Sequence, residues 1–393
     1  MSNKQPKVLF YNYGAKFGGA EIVLTKYLEQ ASPNITYKVL LNEYGPFYDE
    51  LIERNIPVDV IEVNSGLLSS IKREGAFNLK LIQSIPTVLN LFSRIVKYFK
   101  KHRYDLIVSN TYKSHVLVGL AARMYGINAV WRFHDIMQSE YPYNQYSWMH
   151  VTFLRFLSRN VRAISAVSNA VADSFISNGF DGSKLSVVHN GLDVQASGKD
   201  RVSGEINRTR IGWIGQFTPW KGIEEFINLG KALIDQRDRI NYDIEFIIAG
   251  SALFGNEQYE TRIRSLVTDD YSKYFTFMGH ISDIESFYNG IDIYFHTSIA
   301  PDPFPTTLLE AGSRGLLIFA SELGGTSEVI TDNETGYLIN ILGREATLNK
   351  TIEVLNNIST RRTMGEKLRN EIEAKFSKQI YQRNLEAELL GLI

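Results

Sequence analysis

Short, nearly unbroken apolar runs rich in β-branched and aromatic residues alternate along the chain with longer segments whose apolar positions recur at helical spacing. In the first half the runs are KVLFYNYG, YDLIVSN, NAVWRFHD, AISAVS and LSVVHNG, and helix-period segments such as Glu21–Gln30 and Val116–Met124 lie between them. A strand with one wet face would alternate apolar and polar positions. These runs do not, so they predict parallel strands covered by helices on both faces.

The alternation stops at DVQASGKDRVSGEINR, a polar stretch rich in Ser and Gly that reads as a linker. It restarts with RIGWIGQF, DIEFIIAGS, YFTFMGH, IDIYFHTS, LLIFASE and TGYLINI. The expected fold class is therefore α/β, with two Rossmann-like doubly wound domains facing each other across a cleft. The expected boundaries are 1–195 for the first domain, 196–208 for the linker and 209–375 for the second domain. The last segment, 376–393, is expected as a C-terminal helix packing back toward the N-terminal domain. One large α/β domain with a surface insertion is the alternative, disfavoured because cores beyond roughly 250–300 residues tend to split.

Composition narrows the function. Lys plus Arg number 42 against 43 Asp plus Glu, so no global charge argues for nucleic acid. There are no cysteines, which excludes disulfides, thiolate nucleophiles and thiolate-bound metals. The N-terminus MSNKQPKVLFYNYG lacks a signal-peptide pattern and no run reaches the roughly 18 apolar residues of a membrane span, so a cytoplasmic protein is expected.

Ligands of doubly wound sheets bind beyond the carboxyl ends of the strands. After the first strand, YGAKFGGAE places Gly14, Gly18 and Gly19 before a helix, a pattern that serves either a tight turn or a close backbone approach to a ligand. It is not a G-x-G-x-x-G fingerprint, so a dinucleotide oxidoreductase is poorly supported. His134 and Asp135 end a strand in WRFHDI, where a histidine is as often structural as functional. No other histidine stands at ligand spacing and no Asp-x-Asp pair occurs, so no metal site is expected. In IGWIGQFTPWKG, Lys221 follows a glycine-bearing turn, which suits an anionic oxygen.

In PDPFPTTLLEAGSRG, Thr306, Thr307 and Leu308 would open a helix carrying Glu310. Its free N–H groups favour phosphate. Glu310 could accept hydrogen bonds from a ribose diol, and Asp302 from hydroxyls of a second sugar. Phosphate between two polyols describes a nucleotide sugar; an ordinary loop before a helix would also carry these residues.

GGAE, FHD, SNAVADSF, VHNGLD, IGQFTPWKG, FMGHIS, DPFPTTLLEAGSRG and ELGGTSEVI stand in the order found in the retaining family-4 glycosyltransferases of GT-B fold, which the chain resembles over nearly its whole length. The resemblance implies a metal-independent hexosyltransferase without cofactor, taking a nucleoside-diphosphate sugar as donor and a saccharide or lipid-linked acceptor. It implies that Asp302 and Glu310 contact donor sugar and ribose, and that Lys221 binds the diphosphate. It further implies that the amides of Thr306, Thr307 and Leu308 form the phosphate turn, and that His134 lies near the donor hexose. By the same resemblance Gly18 and Gly19 close over the diphosphate, and segments around Gly250 and His280–Ile281 flank the base. Two positions depart from the family pattern: Gln216 stands where an arginine is usual, and Asp302 is one methylene shorter than the usual glutamate. Arg132 or Arg314 could supply the missing cation.

A nucleotide-sugar epimerase of the same fold and a non-catalytic nucleotide-binding subunit are the competing readings. The acceptor could lie on a membrane. In PTVLNLFSRIVKYFKKHR, Pro86–Arg103, apolar Val88, Phe92, Ile95, Val96 and Phe99 oppose Arg94, Lys97, Lys100 and Lys101. Such a helix could rest on an anionic bilayer or simply cover a sheet.

Overall fold

The computed structural model describes residues 5–30, 32–63, 79–137, 147–193, 208–252 and 255–393. Two compact units form: Met1–Asn190 with Lys378–Ile393, and Gly191–Ser377. The expected linker 196–208 lies outside the described residues apart from Arg208, which opens a strand.

The first unit is a parallel sheet of β1 (Lys7–Tyr11), β2 (Thr36–Leu41), β3 (Val58–Val60), β4 (Leu106–Ser109), β5 (Ala129–Phe133), β6 (Ala163–Ala166) and β7 (Leu185–Val187), in the order β3-β2-β1-β4-β5-β6-β7. Every residue of β4, β5 and β6 is buried, as the unbroken apolar runs require. The final helix, Lys378–Gly391, lends Tyr381, Leu385 and Leu389 to the core built on β1, β2 and β4.

The second unit holds β8 (Arg208–Ile214), β9 (Asp243–Ala249), β10 (Phe275–Gly279), β11 (Ile293–His296), β12 (Leu317–Ser321) and β13 (Tyr337–Ile339), ordered β10-β9-β8-β11-β12-β13 and all parallel. Its core is aromatic: Phe295 stacks on Phe319 with centroids 4.7 Å apart, and Phe226 meets Phe246 edge-on. In each sheet the strand order reverses beside the first strand, between β1 and β4 and between β8 and β11. Ligands of doubly wound folds enter at such switch points, beyond the carboxyl ends.

The Leu79–His102 helix settles one expectation from the sequence. Ile95, Val96 and Phe99 are buried and Val88 and Phe92 half-buried, so the apolar stripe of Pro86–Arg103 covers the sheet and is not free to enter a bilayer. A sheet and a lipid surface select the same helical periodicity, which is why the pattern alone left both open. The basic side, with Arg94, Lys97, Lys100 and Lys101, is exposed.

Candidate functional site

In the second unit the chain leaves β8 through Gly215, Gln216 and the turn TPWKG. Gly222 has φ of +69°, and a Cβ there would stand 1.7 Å from the carbonyl oxygen of Thr297. Only glycine lets the turn press against the end of β11 in this way. The contact is fixed by Thr297, whose hydroxyl donates to the Gly222 carbonyl at 2.7 Å and accepts from the Trp213 indole at 3.0 Å.

This brings Lys221 over the loop after β11. Lys221 Nζ lies 2.5 Å from Asp302 Oδ2 and 4.0 Å from the Trp220 ring centre. His296, the last residue of β11, places Nε2 3.5 Å from the same carboxylate oxygen and 3.2 Å from Ser298 Oγ. Asp302 and His296 are nearly sealed from solvent, whereas Lys221 keeps 24% of its side chain exposed. Burial opposes ionisation of Asp302, but the Lys221 charge and the His296 hydrogen bond outweigh it and hold the carboxyl well below its usual range. Burial also lowers the His296 pKa, with Asp302 offsetting part of the effect. The result is a lysine oriented by a buried counterion, with its ammonium still reachable from water.

The helix Thr306–Ser313 starts four residues after Asp302, and no side chain caps its N-terminus. The Leu308 N–H is engaged with the Pro305 carbonyl at 3.1 Å. Glu310 is half-buried and accepts from the Tyr288 hydroxyl at 2.9 Å; Arg314 donates to the Glu310 carbonyl and lies over the Tyr288 ring. Asp302 and Glu310 therefore have different environments, one a buried counterion and the other a carboxylate oriented by a tyrosine.

The segments around Gly250 and His280–Ile281 are neighbours. Gly250 N–H donates to the Gly279 carbonyl at 2.7 Å, and with φ of +127° Gly250 sits so close to Gly215 that a Cβ would stand 1.8 Å from its carbonyl oxygen. His280 is exposed and Ile281 half-buried. Gln216 has its side-chain Nε2 buried with no hydrogen-bond partner among the described residues. A buried amide N–H without an acceptor carries a free-energy cost that a ligand oxygen would relieve.

In the first unit, His134 follows β5, Asn110 follows β4 and Asn12 follows β1. His134 Nε2 lies 2.7 Å from Asn110 Oδ1, and Asn110 Nδ2 lies 3.3 Å from Asn12 Oδ1. Asn12 Nδ2 donates to the Gly14 carbonyl at 2.9 Å and to Glu21 Oε1 at 3.2 Å. The other Glu21 oxygen accepts from the Gly18 N–H at 3.2 Å, at the start of the Gly19–Leu28 helix. Gly19 is exposed, with open space around it. Burial, then the Arg132 charge, pushes the His134 pKa down to about 3, so the ring is neutral.

The sequence pointed to His134, Lys221, Asp302 and Glu310 but passed over His296, Tyr288, Asn12, Asn110 and Glu21. His296 was visible to the rule used for His134, a histidine at a strand's carboxyl end. Arg132 is not a spare cation: it is buried, and its guanidinium donates to Ser165 Oγ at 3.0 Å, the Val188 carbonyl at 3.1 Å and Asn190 Oδ1 at 3.0 Å. Among the described residues no three His, Asp or Glu side chains group as a metal-ligand set, and no helix is long and apolar enough to cross a membrane.

Residues 199–371 match the family described as Glycosyl transferases group 1, and residues 47–196 match Glycosyltransferase Family 4. An uncharacterized glycosyltransferase of Methanocaldococcus jannaschii is 22% identical across 94% of this chain and 96% of that protein. The Escherichia coli UDP-Gal:alpha-D-GlcNAc-diphosphoundecaprenol alpha-1,3-galactosyltransferase is 22% identical across 76% of this chain and 78% of its own length. The crystal structure of Anabaena HepE in complex with UDP and glucose superposes with a TM-score of 0.79 at 25% identity, covering 99% of this chain and all of the other.

Proposed function

The chain belongs to the family-4 glycosyltransferases of GT-B architecture, and from that premise we propose that it moves a hexose from a nucleoside-diphosphate sugar to a saccharide or lipid-linked acceptor. We place it in surface-polysaccharide or glycoconjugate assembly, acting with retention of configuration and without a metal.

The observation that carries this reading is Lys221. Breaking the glycosidic bond builds negative charge on the departing diphosphate while the sugar gains oxocarbenium character. A cation already oriented where that charge appears gives the largest single stabilisation open to the protein. Asp302 holds Lys221 in place before substrate arrives, and the diphosphate then competes with the carboxylate for the ammonium. The unpartnered Gln216 amide supplies a neutral donor where the family has an arginine. Glu310, oriented by Tyr288, serves the ribose hydroxyls, and the Thr306–Thr307 amides the phosphate.

UDP is the nucleotide expected first, since the solved relative holds UDP and glucose. Thermal unfolding against nucleoside diphosphates and their sugar conjugates, without added metal, tests the reading. A ligand at 100 times its dissociation constant adds roughly 2.7 kcal/mol, a readily visible shift. Glu310→Ala should reduce the shift at fixed ligand concentration, and an unchanged dissociation constant would remove Glu310 from the ribose site. No shift with any nucleotide would defeat the donor assignment.

A lipid-linked acceptor would bring the first unit to a membrane, and its surface favours an anionic one. The helices Leu79–His102, Tyr112–Tyr125 and Trp148–Ser158 contain no Asp or Glu. They adjoin one another through Phe92 against Tyr125 and Arg123 against Phe156. On the third of them Trp148 (73% exposed), Met149, Phe153 and Phe156 are open to water beside Arg155. Exposed aromatics beside arginines fit the headgroup region of an anionic bilayer. Vesicles rich in phosphatidylglycerol should cosediment the protein at low salt and phosphatidylcholine vesicles should not. Trp148→Ser with Phe153→Ser should reduce binding; equal binding to both lipids would discard the anionic surface.

A further inference from the structure

The hydrogen bonds from His134 to the glycine loop can be assigned a direction throughout, because they end on groups that only accept. Asn12 Nδ2 contacts the Gly14 carbonyl and the Glu21 carboxylate. Both contacts require the amide hydrogens, so the Asn12 side chain cannot be turned over and its Oδ1 must face Asn110 Nδ2. That fixes Asn110 in turn, leaving its Oδ1 toward His134 Nε2. The imidazole must therefore donate through Nε2, and a neutral ring has a single proton. Nδ1 is left as a bare acceptor, and nothing hydrogen-bonds it among the described residues.

We infer that Asn12, Asn110 and Glu21 are positioning residues that set His134 as a hydrogen-bond acceptor through Nδ1 and tie that setting to the glycine loop at Gly14 and Gly18. The role of the device rests on the transferase reading; its geometry does not. An acceptor nitrogen selects a ligand hydroxyl that donates, and a sugar presents such hydroxyls. Asn12 and Asn110 are 1% and 4% exposed, so reversing one amide would leave buried polar atoms opposed, which makes the setting rigid. Glu21 joins the two ends: one oxygen holds Asn12 and the other holds the Gly18 amide at the helix start. Movement of the glycine loop is thereby coupled to the histidine.

Other charged or titratable groups act on this network. Arg132 lies on β5, which leads into the histidine, and His115 comes from the Tyr112–Tyr125 helix. Asp135 follows the histidine and acts on Glu21, which belongs to the Gly19–Leu28 helix. Arg132 disfavours imidazolium, and Asn110 offers Nε2 a neutral acceptor where many histidine sites offer a carboxylate. A network that merely filled polar groups at the strand ends would be indifferent to which nitrogen carries the proton.

The test reads the proton directly. In the full-length protein labelled with 15N-histidine, two-bond nitrogen–proton correlations report each tautomer, with His134 assigned from its absence in His134→Gln. The expected result is protonated Nε2 and bare Nδ1 across the neutral range. Asn110→Leu should mix the two tautomers. Asn110→Asp should give the imidazole an anionic partner, raise its pKa and add an acid limb to kcat/KM. With the anion at hydrogen-bond distance, a fall of up to about fourfold from pH 8 to pH 5.5 is expected, absent in the parent. A protonated Nδ1 in the parent overturns the inference, as does an Asn110→Leu protein with an unchanged tautomer. A pH profile in Asn110→Asp identical to the parent's overturns it as well. The parent spectrum needs no turnover, so loss of the transferase reading and loss of the network are distinguishable.

Discussion

Lys221→Met should lower turnover by about 10²–10³-fold, the usual effect of removing one preorganised donor from a site of developing negative charge. It should also destabilise the second unit, because Asp302 would remain buried without its ammonium partner. Losing one member of a buried pair costs up to about 3–5 kcal/mol, and the partial exposure of Lys221 places the expected loss at the lower end. The two effects separate in a double variant. Adding Asp302→Asn removes the stranded charge at nearly constant shape, so Lys221→Met with Asp302→Asn should regain most of the lost stability and none of the lost turnover. Thermal unfolding and initial rates on the parent, both single variants and the double variant complete the cycle. Turnover in Lys221→Met within about threefold of the parent would remove Lys221 from the leaving-group role, since no donor of that kind contributes so little. Stability unrestored in the double variant would show that the lysine's packing on Trp220 matters more than its charge.

Lys221 and Asp302 also show how far the sequence could be read. The apolar runs KVLFY and LIVS could only be strands buried on both faces, and they are. Lys221, Asp302 and Glu310 were visible because each follows a strand or turn where doubly wound folds bind ligands. The ion pair was not visible, because it joins positions 81 apart through the close approach of Gly222 to Thr297. The Asn12–Asn110 contact spans 98 positions for a similar reason: β1 and β4 become neighbours only when the chain, having laid β2 and β3 on one side of β1, returns to its other side. Eight residues of spacing suggested a similar role for Asp302 and Glu310. The backbone instead sends Asp302 into a bridge with Gly324 and puts Glu310 on a helix beside Tyr288. Arg132 read as a free cation because charge is visible in a sequence and burial is not.

Acid should begin to weaken this fold well above the pH at which its carboxylates titrate. His134 is held neutral with a pKa of about 3, against about 6.5 for an unfolded histidine. Below pH 6.5 the unfolded chain therefore binds a proton that the folded one refuses, and stability falls as pH falls. The His134 contribution is complete above about pH 6.5 and is lost progressively toward pH 3. Between pH 6.5 and 4 that is about 3 kcal/mol at 1.36 kcal/mol per pH unit. His115 and His296 are depressed in the same direction by burial and steepen the fall. Glu21 works the other way: burial raises its pKa despite the Asn12 and Gly18 hydrogen bonds, so the folded state accepts that proton more readily and part of the loss is offset. Asp302, whose pKa is depressed, adds its own loss only below about pH 4, where an unfolded aspartate begins to protonate. Urea midpoints measured from pH 7.5 to 4.5 should decline from about pH 6.5 downward. His134→Gln should flatten part of the slope in the first unit, while Asp302→Asn should leave the slope above pH 5 unchanged. Midpoints that stay level to pH 4.5 would mean that His134 takes up its proton inside the fold, and with it would go the neutral imidazole on which the acceptor role of Nδ1 depends.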